Sequence, residues 1–441
     1  MSKVHIVVGG GASGMAAAHF LKSQGAEAVV LEQSGALGGR IAPDRLGDRP
    51  VDLGGKNIGR KYRLFREFTA SLGVSDWQHF GLNTSRVENG ELRTLDAQRR
   101  LRGFLSIAEG SSAADFLRFG TLAARVRWDP SARFLGADAF AAIARKYDDR
   151  PASAYFTKAF LDNVVRPLVV RTNGAEPDEV FLGNFGSNVG MLLDTYEQLP
   201  RGMGELVERF AERYTVRLGA RVDRLVVRGG RVHAVRWTDG AGASHEEECD
   251  GVVVAAPAPS AAGLLRDAAP DAAAALSDVR YFPVGVVVAE YERDVFDPAA
   301  RAIVFPPGTP LSNAGAYGVD ALNVIRYTFS GRAARDLAGR SGDELVLAAE
   351  AELGKYRPVR EARRVRSTSR WFSPGLCAFA PRYGALLDRV ERGIAPLENA
   401  AVAGDYVRGA SIEACFESAR GAVDRLLHRK AQRGTPSRRV A

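Results

Sequence analysis

The first forty residues constrain this chain more than any other stretch: KVHIVVGGGASGMAAAHFLKSQGAEAVVLEQSGALGGR. Val4 to Val8 is rich in β-branched residues and predicts a buried strand. Gly9, Gly11 and Gly14 follow at once in G-x-G-x-x-G spacing. Ala12 to Ser23 carries a helical pattern, with Met15, Ala18, His19 and Leu21 at turn spacings. A second buried strand, Ala28 to Leu31, ends on Glu32, about 20 residues past the glycines, as a dinucleotide-binding fingerprint requires. Each part has a physical task. Gly9 permits a tight turn, Gly11 lets the backbone approach a pyrophosphate, and Gly14 lets helix and strand pack closely. The helix N-terminus at Ala12 and Ser13 offers free N–H groups and a positive dipole end to phosphates. Glu32 can accept hydrogen bonds from a ribose, and its charge disfavours a 2′-phosphate.

This fingerprint does not separate NAD from FAD, but the residues after it do. Gly38-Gly39-Arg40 lies a few positions past Glu32, and Asp52-Leu53-Gly54-Gly55-Lys56-Asn57-Ile58-Gly59 follows. A glycine fingerprint, an acid, G-G-R and then D-x-G-G resembles the flavin amine oxidase superfamily, which includes monoamine and polyamine oxidases, protoporphyrinogen oxidases and phytoene desaturases. The resemblance implies that Arg40 touches the phosphate side of the flavin. It also implies that the backbone of Gly54, Gly55, Lys56 and Asn57 runs past the isoalloxazine ring. The alternative for Arg40 is a solvated surface arginine.

Composition sets the frame. With 441 residues, 46% hydrophobic and 25% charged, the chain has an ordinary globular make-up and length for two or three domains. The net charge of +8 is spread along the chain, with clusters at Arg99-Arg100, Arg360 to Arg370 and His428 to Arg439. No nucleic-acid module or basic stripe with aromatics accompanies it, so no nucleic-acid partner is expected. Cys249, Cys377 and Cys415 lie far apart, which suggests a reducing compartment and no disulfide framework. The six histidines do not cluster, and no metal spacing is present. Ser2-Lys3 leads straight into the first strand and no apolar run reaches the ~20 residues of a membrane helix, so the expectation is a cytoplasmic protein.

Along the chain, Arg60 to Leu72 predicts a helix, and Glu88 to Leu95 a hairpin turning at Asn89-Gly90. From Leu105 to Gln198 the pattern is helical, with Tyr155, Phe156 and Phe160 expected in a helical core. A helix from Leu199-Pro200-Arg201-Gly202-Met203-Gly204 to Tyr214 precedes a meander, Arg221 to Val227 and Arg231 to Trp237, about a Gly229-Gly230 turn. Asp250 to Ala256 fits a central strand rejoining the nucleotide sheet. Tyr281 to Tyr291 and Ala321 to Phe329 predict strands of a second sheet, and Ser341 caps a helix to Leu353 with Glu344 three residues on. Ala401 to Ala403 ends a strand at Gly404-Asp405, where a carboxylate can accept hydrogen bonds from ribityl hydroxyls. Ser411 caps a last helix with Ile412, Cys415, Phe416, Ala419, Val423 and Leu426 on one face. Its N-terminus, at Ile412, can stabilise negative charge on a reduced flavin. The same superfamily resembles these middle and closing blocks, which implies an adenine contact from the backbone of Val222.

The expected fold is α/β: a Rossmann-type FAD-binding domain in three segments, with an inserted α+β substrate domain and a helical subdomain. The segments are FAD-binding at 1–85, 199–280 and 395–430, a helical insert at 86–198, a substrate sheet at 281–394 and a disordered basic tail at 431–441.

Two departures from the superfamily shape the functional reading. Its amine oxidases place a lysine on the first substrate-domain strand, whereas Phe282-Pro283-Val284-Gly285-Val286-Val287-Val288 has none. Lys56, or a water held by Asn57, could stand in. Monoamine oxidases attach FAD through a cysteine after a tryptophan. The residues around Trp371 and Cys377 do not match that pattern, so non-covalent FAD is expected. Trp371, Tyr383 and Tyr406 are candidates for the aromatic pair that sandwiches an amine in those enzymes. The expected activity is removal of two hydrogens from a bulky cyclic or conjugated small molecule, with oxygen or another electron acceptor reoxidising the flavin. The alternatives are an amine or amino-acid oxidase using oxygen, and a flavoprotein without redox turnover.

Overall fold

The structure, a computed structural model, describes residues 4–79, 84–88, 90–95, 109–359 and 361–433. Asn89, the basic pair Arg99-Arg100, Leu105, Arg360 and the tail beyond Arg433 lie outside the described residues. A five-stranded parallel sheet organises the nucleotide half, in the order Thr215–Leu218, Glu27–Glu32, Val4–Val8, Gly251–Val254, Ala400–Val402. The start, the middle and the end of the chain each contribute strands. The inner strands Val4–Val8 and Gly251–Val254 are largely apolar because both faces are covered. Ile6, Val8, Leu31, Val252 and Val254 point to one side, where they meet the antiparallel meander Arg221–Arg228, Arg231–Thr238 and Ser244–Glu248 and the helices Ala258–Leu265 and Pro270–Ser277. Val7, Val30 and Val253 point to the other, under the helices Ala12–Ser23 and Ile412–Arg433.

A seven-stranded sheet forms the second half, in the order Arg364–Ala378, Arg280–Tyr291, Val324–Phe329, Leu311–Ala316, Ala302–Val304, Thr84–Glu88, Glu91–Leu95. The last two strands are the expected hairpin, and Thr84–Glu88 joins the sheet by pairing parallel to Ala302–Val304. The expected division at 85/86 therefore falls within a strand. The long strand Arg280–Tyr291 is apolar from Phe282 to Ala289 for a two-sided reason. Val287, Ala289 and Tyr291 pack with Leu345, Val346 and Ala349 of the helix Gly342–Leu353, while Val284 and Val286 face a cavity. The capping box of Ser341 and Glu344 is formed as the sequence predicts.

The helices Ala113–Trp128, Asp138–Tyr147, Arg166–Asn173 and Phe185–Leu192 make up the helical insert. Phe156 and Phe160 stack in its core with centroids 5.0 Å apart. Tyr155 is only half-buried and donates its hydroxyl to the Tyr147 carbonyl and the Asp149 carboxylate. One stretch departs from the helical expectation: Tyr196–Gln198 is a short strand pairing with Ile58–Gly59 and Gln78–His79.

Candidate active site

One cavity of about 1340 Å³ runs from the fingerprint loop to the helical insert. Its nucleotide end is built by backbone. Gly9 adopts φ +103°, and a Cβ there would sit 2.9 Å from the Ala255 carbonyl. At Gly14 a Cβ would come within 1.8 Å of the Gly9 carbonyl, so helix and loop meet only because both are glycine. Gly14 thus holds the turn together and does not line the cavity. Gly11, Ala12 and Ser13 do line it, at the N-terminus of a helix with no side-chain cap and no acid in its first turn. Glu32 accepts the Gly10 N–H (2.7 Å) and both the N–H and hydroxyl of Ser34 (2.8 Å each). Val222 lines the cavity beyond Glu32, and Ala220 donates its N–H to the Glu32 carbonyl (2.8 Å).

Gly39 and Arg40 close the middle of the cavity. Arg40 is bidentate on Asp405 at 2.6 and 2.9 Å and donates to the Gly375 carbonyl at 2.9 Å. The Tyr281 hydroxyl donates to the same carboxylate at 2.8 Å. Burial works against the guanidinium charge, but adjacent Asp405 outweighs it and Arg40 titrates above its ordinary value. This differs from the separate contacts expected of the two residues. Three of the carboxylate's roughly four acceptor sites are taken within the protein, leaving one for a ligand. Gly54 wedges against the backbone carbonyls of Arg40 and Ile41, and Ile412 packs over Gly55. Gly404, at the end of the strand Ala400–Val402, also lines this region.

Lys56 and Asn57 project from the same loop. Lys56 is 6% exposed. Its ammonium donates to Gln198 Oε1 (2.9 Å) and to the Tyr317 carbonyl, and it lies 4.0 Å from the Tyr317 ring centroid. Burial, reinforced by repulsion from Arg326, pulls its pKa down to about 7, against the attraction of Asp52. Asn57 Oδ1 is buried and finds no hydrogen-bond partner among the described residues.

Three expected residues are corrected. Trp371 lies on the sheet face turned away from the cavity, with its ring over Gly285. The alternation of a strand puts Phe372 into the cavity instead. Tyr383 and Tyr406 are fully buried in the core between the nucleotide sheet and its helices and do not reach the cavity. The sequence reading also missed several lining residues. Ala255, Ala256 and Pro257, just past a central strand, had a signal in their small size. Phe116, Asn163, Arg166, Arg171 and Arg326 belong to the substrate side and had none.

The cradle fits a dinucleotide flavin on three observations of the chain itself. A Cβ at Gly11 would meet nothing within 4 Å, the helix behind it is uncapped, and a buried amide oxygen on Asn57 awaits a donor. Glu32 and the loop Gly9–Ser13 would hold the ribose and pyrophosphate, and Gly54 to Asn57 the side of the ring. The group, when bound, accepts hydride from a substrate carbon. The chain's share is to position that carbon and exclude water from it.

A parallel-sheet dinucleotide cradle joined to a roofed cavity defines a cofactor-dependent oxidoreductase. Residues 12–427 match the flavin containing amine oxidoreductase family, and the chain belongs to it as a flavin-dependent oxidoreductase. It is 25% identical to the coproporphyrinogen III oxidase of Mycobacterium leprae over 470 residues, covering 96% of this chain and 98% of that one. A shorter likeness, 35% over 97 residues, links 22% of this chain with 18% of the L-amino acid oxidase bordonein-L of Crotalus durissus terrificus. The fold is shared with cyclohexylamine oxidase from Brevibacterium oxydans, at TM-score 0.70 and 19% identity over 98% of this chain and 100% of that one. Among the described residues no helix is long and apolar enough to cross a membrane.

Proposed function

We propose that this protein binds FAD without a covalent link and removes two hydrogens from a bulky cyclic or conjugated molecule of the porphyrinogen kind. The observation that carries this reading is the cavity. Its 1340 Å³ exceed what a single small ligand needs, so a macrocycle can share the space with a dinucleotide. Its walls beyond the flavin end are mostly apolar, with Val284, Val286, Phe116 and Phe372 among them, and Arg171 and Arg326 offer positive charge to carboxylates at a substrate's rim. The match to a coproporphyrinogen III oxidase along nearly the whole chain supports the same substrate class. Glu32 would hold the ribose, Val222 the adenine through its backbone, and Arg40 with Asp405 the phosphate and ribityl side. Cys249, Cys377 and Cys415 are all free, which supports a reducing, cytoplasmic setting. Oxygen or another acceptor would take the electrons.

A second reading, an amine or amino-acid oxidase, draws on the local likeness to an amino-acid oxidase. Anaerobic mixing with porphyrinogens, polyenes and short alkyl and aryl amines separates the readings. Bleaching of the flavin by a porphyrinogen, with porphyrin fluorescence as product, is the expected result. Turnover of a short amine with kcat/KM of ~10⁴ M⁻¹s⁻¹ or more would restore the amine oxidase reading. Bleaching by nothing in the panel would favour a flavoprotein without redox turnover.

A further inference from the structure

Removing two hydrogens sends one away as hydride and leaves a proton to be accepted. Among the described residues, the substrate-facing wall of the sheet provides no acceptor for it. Val284, Val286 and Thr328 are not bases, and Arg326 keeps its proton at any ordinary pH. The Cys377 thiol is fully buried and held well above its ordinary pKa by that burial. Among the described residues of the helical insert, Arg171 keeps its proton, and the other titratable groups along the cavity are committed. Asp194 accepts the Thr195 N–H at 2.8 Å and pairs with Arg133 at 3.6 Å. The Tyr196 hydroxyl donates to the Met191 carbonyl, and burial pushes its pKa up to about 12. Arg166 is locked on Glu176.

Lys56 borders the cavity from the loop that lines the flavin end, directly after Gly54 and Gly55. We propose that Lys56 is the proton acceptor of this site, serving from the nucleotide side where the sheet presents valine. The inference rests on the oxidoreductase reading above. The geometry is that of a buried amine held in place beside two guanidinium groups. Gln198 and the Tyr317 carbonyl fix the nitrogen. Arg326 and Arg301 are the cations that act on it, and Asp52 is the carboxylate. That carboxylate is largely engaged elsewhere, accepting the Met203 N–H at 2.9 Å and the Tyr317 hydroxyl at 3.3 Å. Burial does most to favour the neutral amine, and Arg326 and Arg301 add to it against the attraction of Asp52.

In the step itself, the substrate C–H bond breaks and its electron pair leaves as hydride to the flavin. The neighbouring N–H or C–H proton passes to the neutral amine of Lys56, which becomes an ammonium. The electrons of that second bond form the new C=N or C=C bond. The proton returns to solvent before the next turnover.

The test has one arm that needs no substrate. Protein labelled with ¹³C at the lysine ε-carbon has only eight lysines to resolve. One signal should titrate with a midpoint near 7 and be absent from Lys56→Gln. If every lysine titrates at the ordinary value of about 10.4, the proposal is overturned, whatever the substrate proves to be. The second arm follows anaerobic flavin reduction by whichever compound of the panel bleaches it. In the wild type the rate should rise with pH through the same midpoint. Lys56→Gln should slow it ~10²-fold or more and flatten the profile. Lys56→Arg, which keeps the charge and donors but cannot give up its proton, should be as slow. Recovery of rate by Lys56→Arg would show that Lys56 only holds Tyr317 and Gln198 in place, and an unchanged pH profile in Lys56→Gln would equally sink the idea.

Discussion

Arg40 and Asp405 stand 365 positions apart in the chain and hold each other through two hydrogen bonds of 2.6 and 2.9 Å. The pair clasps the first and last nucleotide-binding stretches across the cavity, and Tyr281 joins it from the substrate sheet. Asp405→Ala would leave a half-buried guanidinium without its partner. The expected cost is ~2–3 kcal/mol, below that of a fully buried pair because Arg40 is partly solvated, with loss of flavin on purification. Asp424→Ala is the control. Asp424 lies away from the cavity and accepts an exposed hydrogen bond from Gln24, with an expected change within about 0.5 kcal/mol. Similar losses in both variants, by urea denaturation and flavin absorbance, would refute the clasp.

Glu32 carries two duties, which makes its substitution informative. It caps the glycine loop through the Gly10 N–H and the Ser34 N–H, and it lines the cavity, where the proposal has it hold a ribose. Glu32→Ala should weaken FAD binding by ~1.5–3 kcal/mol, roughly ten-fold or more in affinity. Titration of the apoprotein with FAD measures this directly, and an unchanged dissociation constant would remove Glu32 from the ribose site.

Flavin should leave the polypeptide on acid or heat denaturation. Cys377 is fully buried with its thiol pushed well up, and such a sulfur is a poor nucleophile. Cys415 lies along the cavity, but burial likewise lifts its thiol, to about 12. Yellow colour retained by the precipitated chain would demonstrate a covalent bond.

Lys56 ties stability to pH with a definite sign. The folded protein releases the proton of Lys56 near 7, while the unfolded chain keeps it to about 10.4. Between those values the unfolded state binds more protons, so stability rises with pH across that window and is flat in this term on either side. Lys56→Met removes the titration. In urea denaturation of the apoprotein at pH values from about 6 to about 10, the wild type should gain on Lys56→Met as pH rises. Parallel curves would mean that the lysine is not depressed.

What was legible in the sequence was everything that local backbone demands dictate. A strand, glycines at set spacing, a helix and an acid can be read from neighbours because each constrains the next within a few residues. The Ser341–Glu344 capping box and the Gly404-Asp405 corner are of the same kind. The valine-rich strand from Phe282 also announced that it lacked a lysine.

Side-chain direction and long-range pairing were decided by the tertiary structure. Trp371 and Phe372 are adjacent in sequence, and only the register of Arg364–Ala378 against Arg280–Tyr291 sends Phe372 to the cavity and Trp371 to the opposite face. Tyr406 follows the expected aspartate, yet the close packing of the helices around it draws the ring into the core. The grip of Arg40 on Asp405 depends on segments that meet only when three stretches of chain close one sheet, and the set of groups around Lys56 depends on the seven-stranded half meeting the loop after Gly55. Sequence determined the cradle because its requirements are local. The occupied valences, the orientation of each ring and the field at Lys56 depend on distances through space, and those exist only in the folded molecule.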